Sequence, residues 1–257
     1  MSMIFGLLRI KNESRWIERV IRSIQPVCER ILIFDDHSTD TTPEICEALE
    51  KVTVIRSPFS GIDESRDKQF LLEEAYKLIP HTERHLTWGN PTCPYWALAI
   101  DGDEELVAAD HAALRTAMQP DVHAISLRIL YLWDGAQQIR VDGVYRDFRR
   151  PSLFRMMNKD FRYRKTPFGN GANFHCSSIP QELLHHTHDP RSKSQARLLH
   201  WGYIDRELRL KKYEFYRGLD PNNSAEDGYR HMVIGDLFPA ESRFRHAGPL
   251  RLEALNV

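Results

Sequence analysis

Four apolar runs dominate the first hundred residues: MIFGLLRI (3–10), ILIF (31–34), VTVI (52–55) and WALAI (96–100). Between them the period changes. Ile17, Val20, Ile21 and Ile24 recur at i, i+3, i+4 and i+7, which predicts a helix from about Ser14. Asn12 or Ser14 can cap its start, and Pro26 ends it. Thr42-Pro43 opens a second helix, with the hydroxyl at the N-cap and the proline at the first helical position. A third helix carries Phe70, Leu71, Ala75 and Leu78. Continuous apolar strands alternating with helices predict an α/β fold with a mostly parallel sheet covered on both faces.

Such sheets bind ligands at the carboxyl ends of their strands. Three polar clusters fall there: Lys11-Asn12-Glu13, Asp35-Asp36 and Asp101-Gly102-Asp103. The last belongs to ALAIDGDEEL, where an apolar strand breaks into four carboxylates. Like charges at that density need water or a counter-ion. Mg²⁺ commonly takes only one or two protein carboxylates and completes its shell with phosphates and water. An EF-hand is excluded, because Glu105 and Leu106 stand where that loop needs its third ligand and its glycine. A solvated helix start, with Glu104 and Glu105 complementing the dipole, is the structural alternative.

The pattern changes after Asp110. HAISLRILYLW alternates, with Ile125, Leu127, Ile129, Tyr131 and Trp133 on one side, and SLFRM (152–156) is another strand. Residues 140–165 hold nine basic side chains against three acidic ones. RKTPFGNGANF (164–174) has a loop's composition, and LLHWGY precedes a helix from about Asp205 carrying Leu208, Lys212, Phe215 and Tyr216. The expected division is an α/β half over 1–110, a second half of the same domain over 111–217 and a tail over 218–257 that packs on the body.

Composition removes other classes. The 257 residues carry a formal charge of −1, so nothing global draws the chain to nucleic acid. No run of 18 apolar residues predicts a membrane span, and the N-terminus lacks the features of a secretory signal. The four cysteines have no CxxC spacing and read as free thiols in a reducing cytoplasm.

Several motifs in order resemble family-2 glycosyltransferases of the GT-A fold. They are RIKNESRWIERVIRSI, ILIFDDHSTDTT, ESRDKQF, DGDEEL as a DxD motif, and LLHWGY as a His-x-Gly-Tyr element, together spanning most of residues 3–217. The resemblance implies a Rossmann-like, mostly parallel central sheet with helices on both faces and a smaller mixed acceptor-side region. It implies a metal-dependent, inverting transfer of a sugar from a nucleotide diphosphate, UDP rather than GDP, to a hydroxyl. Asp36 is the nucleobase contact and Asp35 a brace for the turn. Asn12 and Glu13 lie near the nucleoside, and Arg66 approaches the nucleotide. Asp101 reaches the ribose or a metal-bound water; Asp103 and His200 ligate the metal. An imidazole ligand tilts the choice between Mg²⁺ and Mn²⁺ towards Mn²⁺.

The general base is expected from the second half. SIPQELLHH resembles a stretch ahead of the His-x-Gly-Tyr element in related transferases, which implies Glu182, with Glu104, Glu105 and Asp189 as alternatives. Arg149, Arg150 and Arg155 are candidate phosphate contacts. Gly169-Asn170-Gly171 is a candidate lid. His185, His186 and His188 read as a solvated loop, lacking the spacing of a zinc helix. The resemblance leaves small-molecule, lipid-linked and lipopolysaccharide-core acceptors open, with a cytoplasmic enzyme in peripheral contact with a membrane among the possibilities. A nucleotidyltransferase would want a glycine-rich phosphate loop after the first strand, where this chain has RIKNESRW. A non-catalytic nucleotide- or sugar-binding protein of the same fold is the other alternative.

Overall fold

The computed structural model describes residues 2–165, 176–220 and 228–257. The first four apolar runs form β1 (Met3–Ile10), β2 (Arg30–Asp35), β3 (Val52–Arg56) and β4 (Tyr95–Ala99). They pair in parallel in the order β3-β2-β1-β4. The sheet continues through β8 (Arg149–Arg155), β6 (Ala124–Tyr131), β9 (Lys193–His200) and β5 (Glu104–Leu106). Strand β8 is antiparallel to both β4 and β6, β9 runs parallel to β6, and β5 is antiparallel to β9. This is the expected α/β arrangement, parallel at one side and mixed at the other. A second small sheet pairs β7 (Gln138–Arg140) with β10 (Leu252–Ala254).

Alternation along β1 builds both layers of core. Ile4, Leu8 and Ile10 face α1 (Ile17–Ile24), α2 (Thr42–Glu47) and α4 (His111–Ala117), while Phe5 and Leu7 join Leu71, Leu72 and Ala75 of α3 (Glu64–Leu78). Burial on both faces explains why β1, β2 and β4 read as unbroken apolar runs, whereas β3, at the sheet edge, is only partly covered. Leu78, expected on the buried face of α3, is exposed at its last turn. Among the described residues no helix is long and apolar enough to cross a membrane.

Two helix starts differ from the sequence expectation. Neither Asn12 nor Ser14 caps α1; the capping position is Trp16, without a side-chain bond. Thr41 rather than Thr42 occupies the capping position of α2. In both cases the polar side chains bond across the loops, as described below. The segment 228–257 does pack on the body. Arg140 donates to the His231 carbonyl at 2.5 Å, and Arg209 of α5 (Arg206–Leu219) pairs with Asp236 at 2.6 Å.

Candidate active site

Parallel pairing brings the carboxyl ends of β1, β2 and β4 to one edge. There a cavity of about 580 Å³ opens, lined from β1 and its loop by Arg9, Lys11, Asn12 and Glu13 and from β2 by Asp36. Asp101, Gly102 and Asp103 follow β4, and His200 comes from the end of β9. Helix α5 closes the far wall with Lys211, Lys212, Phe215 and Tyr216. Among the described residues, seven of the eight site residues expected from sequence fall into two groups. Asn12, Glu13, Asp36, Asp101, Asp103 and His200 share the cavity, and Arg66 stands behind it. The eighth, Glu182, is not brought there.

The loops after β1 and β2 are stapled together. Asn12 sits at φ 56°, in the left-handed region that asparagine tolerates better than most residues. Its Oδ1 accepts from Thr39 N at 2.7 Å, and its own N–H donates to Ser38 Oγ at 2.9 Å. Glu13 N donates to Thr42 Oγ1 at 2.8 Å, and Ser14 N to Asp40 Oδ2 at 3.2 Å. The Ser, Asp and Thr of FDDHSTDTT therefore set the shape of the RIKNES loop, and Asn12 and Thr42 are drawn from capping to this task. Asp35 braces the same turn, accepting from Ser38 N at 3.3 Å and Arg56 at 3.1 Å.

Asp36 is almost fully buried and accepts from Arg9 Nη2 at 2.6 Å. Arg9 Nε donates in turn to Asp67 Oδ2 at 2.9 Å. Asp67 also pairs with Arg66 at 2.7 Å, whose guanidinium stacks on Phe59. Arg66 thus acts at one remove, through Asp67 and Arg9, and does not line the cavity.

Asp101 Oδ2 pairs with Arg150 at 2.7 Å, and Arg150 also holds buried Glu104. Burial works to raise the Asp101 carboxyl, yet Arg150 and Lys68 together hold it below its ordinary value. Glu104 accepts from Asp101 N at 3.0 Å and is raised to about 7, by burial first. Glu105 accepts from Trp201 Nε1 at 2.9 Å. These two carboxylates shape the turn, and neither lines the cavity.

Asp103 and His200 meet because Trp201 N donates to the Asp103 carbonyl at 2.8 Å and β5 pairs Glu104 with His200. His200 Nε2 lies 3.7 Å from Asp103 Oδ2. Burial lowers the imidazole to about 4, against the pull of Asp103, so it stays neutral and able to ligate at pH 7. The same carboxylate oxygen takes the Lys212 ammonium at 2.6 Å. Burial opposes the Asp103 charge, but the Lys212 ammonium keeps it ionised. Gly202 makes room: a Cβ there would lie 2.2 Å from both Asp103 Oδ2 and Lys212 Nζ. Glu13, against Gly102, is raised to about 8 by burial and by Asp103.

A carboxylate and a neutral imidazole converging on one point, with an ammonium standing in for a cation, fit a divalent metal shared with a ligand. Among the described residues no three His, Cys, Asp or Glu side chains form a closed metal cluster. Two protein ligands alone would suit an open site, of the kind in which a ligand's phosphates complete the shell.

Other expectations fall elsewhere. Glu182 Oε2 accepts from Arg162 N at 2.9 Å and its other oxygen pairs with Arg164 at 3.5 Å, outside the cavity lining. Asp189 accepts from Arg191 N at 2.8 Å. Arg149 donates to the Ser194 carbonyl at 2.7 Å and Arg155 to that of Cys93 at 2.6 Å, so neither faces a phosphate site. Arg150 is committed to Asp101 and Glu104. Gly169-Asn170-Gly171 lies outside the described residues. Arg9 and Lys211, which also line the cavity, were not singled out from sequence, and Lys212 was placed only on a helix. Their one sequence signal is position: Arg9 is the penultimate residue of β1, and Lys212 follows the His-x-Gly-Tyr element by less than three helical turns.

Residues 8–71 match the family model Glycosyl transferase family 2. Uncharacterized glycosyltransferase RP128 of Rickettsia prowazekii (strain Madrid E) is 25% identical over 177 residues, covering 67% of this chain and 50% of that protein. Uncharacterized glycosyltransferase RC0292 of Rickettsia conorii (strain ATCC VR-613 / Malish 7) is 28% identical over 173 residues, covering 66% and 50%. The chain spans about half the length of these curated relatives. Among solved structures, a mycobacterial protein aligns with a TM-score of 0.43 at 14% identity, over 85% of this chain and 75% of that one. Glucosyl-3-phosphoglycerate synthase from Mycobacterium tuberculosis, in complex with Mn²⁺, UDP-glucose and phosphoglyceric acid, aligns at 0.32 and 19% identity, over 51% and 44%. The similarity to glycosyl transferase family 2 rests on residues 8–71 and on relatives 25% and 28% identical to this chain.

Proposed function

We propose that this protein transfers a sugar from a nucleotide diphosphate, UDP in preference to GDP, to a hydroxyl acceptor, with inversion and with a divalent cation. The observation that carries the reading is the meeting of Asp36, Asp101, Asp103 and His200 in one cavity from the ends of β2 and β9 and the turn after β4.

Asp36, oriented by Arg9, is suited to accept the imide N–H of a uracil base. Asn12 and Glu13 line the neighbouring wall, and Asp101 stands towards the ribose. Asp103 Oδ2 and His200 Nε2 would hold Mn²⁺ or Mg²⁺, which when bound supplies charge neutralisation for the departing diphosphate. Lys11 and Lys211 add positive charge to the same cavity. In the transfer, the acceptor oxygen bonds to the anomeric carbon as the bond from that carbon to the diphosphate oxygen breaks, and the hydroxyl proton passes to a carboxylate. Glu182 is the proposed acceptor of that proton. To serve, it exchanges its bonds to Arg162 and Arg164 for the acceptor hydroxyl.

A panel of UDP- and GDP-sugars with saturating Mn²⁺ tests the reading. Donor turnover, by transfer or slow hydrolysis, with a UDP-sugar is the expected result. Binding without turnover of any donor would favour a non-catalytic nucleotide- or sugar-binding protein, and absence of both would overturn the proposal.

A further inference from the structure

Asp103 is a buried carboxylate whose charge needs a partner, and the partner present is Lys212. The ammonium lies at 2.6 Å on the oxygen that His200 Nε2 faces at 3.7 Å. A divalent cation shared by Asp103 and His200 would need that oxygen too. Two cations on one carboxylate oxygen in a largely buried site repel each other, so the ammonium and a divalent cation compete for it.

The surroundings show which part can move. Helix α5 is capped at its start by Asp205, which accepts from Leu208 N at 2.9 Å, held in its first turn by Arg209, bonded to Asp236 and Asp134, and packed just past Lys212 through buried Tyr213 against Met232 and Val233. The backbone of Lys212 therefore stays where it is. Its four-carbon stem is flexible and its ammonium carries three rotatable donors. The side chain is about a quarter exposed and lines the cavity, so it has a path from Asp103 into the cavity. The Nζ stands over the Tyr203 ring, 5.5 Å from its centroid, and the ring bounds the ammonium on one side.

We propose that Lys212 is a built-in counter-cation: it holds Asp103 in the free protein, yields that oxygen to the divalent cation, and then pairs with the diphosphate of the donor in the same cavity. The free site is neutralised without metal, and metal and nucleotide bind best together. Lys212 is a positioning residue in this account, acting through Asp103 and the diphosphate rather than on the reacting atoms. The inference rests on the nucleotide-sugar reading of the cavity.

The test is Mn²⁺ binding followed by electron paramagnetic resonance, with and without UDP, in the wild-type protein, Lys212→Met and Lys212→Arg, each checked for native circular dichroism. Without UDP, Lys212→Met is expected to bind Mn²⁺ at least about tenfold more tightly, a gain of about 1.4 kcal/mol. Lys212→Arg, whose guanidinium can grip Asp103 with two donors, is expected to bind Mn²⁺ roughly threefold more weakly. With Mn²⁺ present, Lys212→Met is expected to lose about tenfold in UDP affinity. Unchanged or weaker Mn²⁺ binding by a folded Lys212→Met overturns the proposal. Should that variant not fold, wild-type or tighter Mn²⁺ binding by Lys212→Arg does the same. In both cases, Mn²⁺-dependent UDP binding by the wild-type protein leaves the glycosyltransferase reading standing. Absence of wild-type Mn²⁺ binding even with UDP overturns both.

Discussion

Arg9 Nη2 donates to Asp36 Oδ2 at 2.6 Å while its Nε donates to Asp67 at 2.9 Å, so one guanidinium on β1 holds two buried carboxylates from β2 and α3. The proposed nucleobase contact is thereby fixed in direction. Removing Arg9 leaves both acids buried with a partner lost, a change that typically costs about 3 kcal/mol or more. Arg9→Met is expected to lose stability of that order in urea unfolding and about tenfold in UDP affinity. Arg9→Lys, with one point charge for two partners, should fall between. Wild-type UDP affinity in a folded Arg9→Met would show that Asp36 needs no such orientation.

Gly202 is the narrow point of the proposed cation site. A Cβ there would meet Asp103 Oδ2 and Lys212 Nζ at 2.2 Å and His200 Cε1 at 2.8 Å. Gly202→Ala is expected to weaken Mn²⁺ binding by at least about tenfold, while the far wall, and so the fold, survives at a cost of about 1–3 kcal/mol. Calorimetric titration with Mn²⁺ in the presence of UDP reads the effect. Undiminished Mn²⁺ binding would mean that the cation is held elsewhere.

Two groups give the free protein opposing pH dependences. His200 is lowered from 6.5 to about 4, so between those values the unfolded chain binds more protons and stability falls as pH drops through that window. The full contribution is present above pH 6.5 and amounts to at most about 3 kcal/mol. Glu13 is raised from 4.5 to about 8, so the folded state holds the extra proton and stability falls as pH rises from 4.5 to 8. Unfolding midpoints across pH 4–8 should therefore rise less steeply on the acid side in His200→Asn and decline less on the alkaline side in Glu13→Gln. A Glu13→Gln profile parallel to wild type would contradict the burial assigned to that carboxyl.

Glu182 is engaged by Arg162 N and Arg164 outside the cavity lining. Glu182→Gln is accordingly expected to leave Mn²⁺-dependent UDP affinity within about twofold, a few tenths of a kcal/mol. A large loss of UDP affinity would place this side chain in the donor site instead.

The parts of the fold that were legible in sequence are those whose signal is local. Strands β1, β2 and β4 are covered on both faces and so appear as apolar runs, and Ile17, Val20, Ile21 and Ile24 spell out the buried side of α1. Strands β5, β7 and β10 have three residues each, too few for any period to show. The α1 cap was misplaced because Asn12 turns to φ 56° and bonds Thr39, 27 residues away, in place of the helix start. The candidate site divides the same way. Asp36, Asp101 and Asp103 stand at strand ends and were visible. Arg9 owes its role to partners 27 and 58 residues distant, and Lys212 to one 109 residues distant, pairings that only the folded sheet brings about.

The central claim is that Asp103 makes this cavity a cation-dependent site for a nucleotide diphosphate. Calorimetry of UDP binding to the wild-type protein and to Asp103→Ala, each with and without Mn²⁺, addresses it directly. The account predicts wild-type binding that strengthens at least about tenfold with Mn²⁺, and an Asp103→Ala protein in which that gain is gone. An Mn²⁺-dependent gain that persists in Asp103→Ala would contradict it.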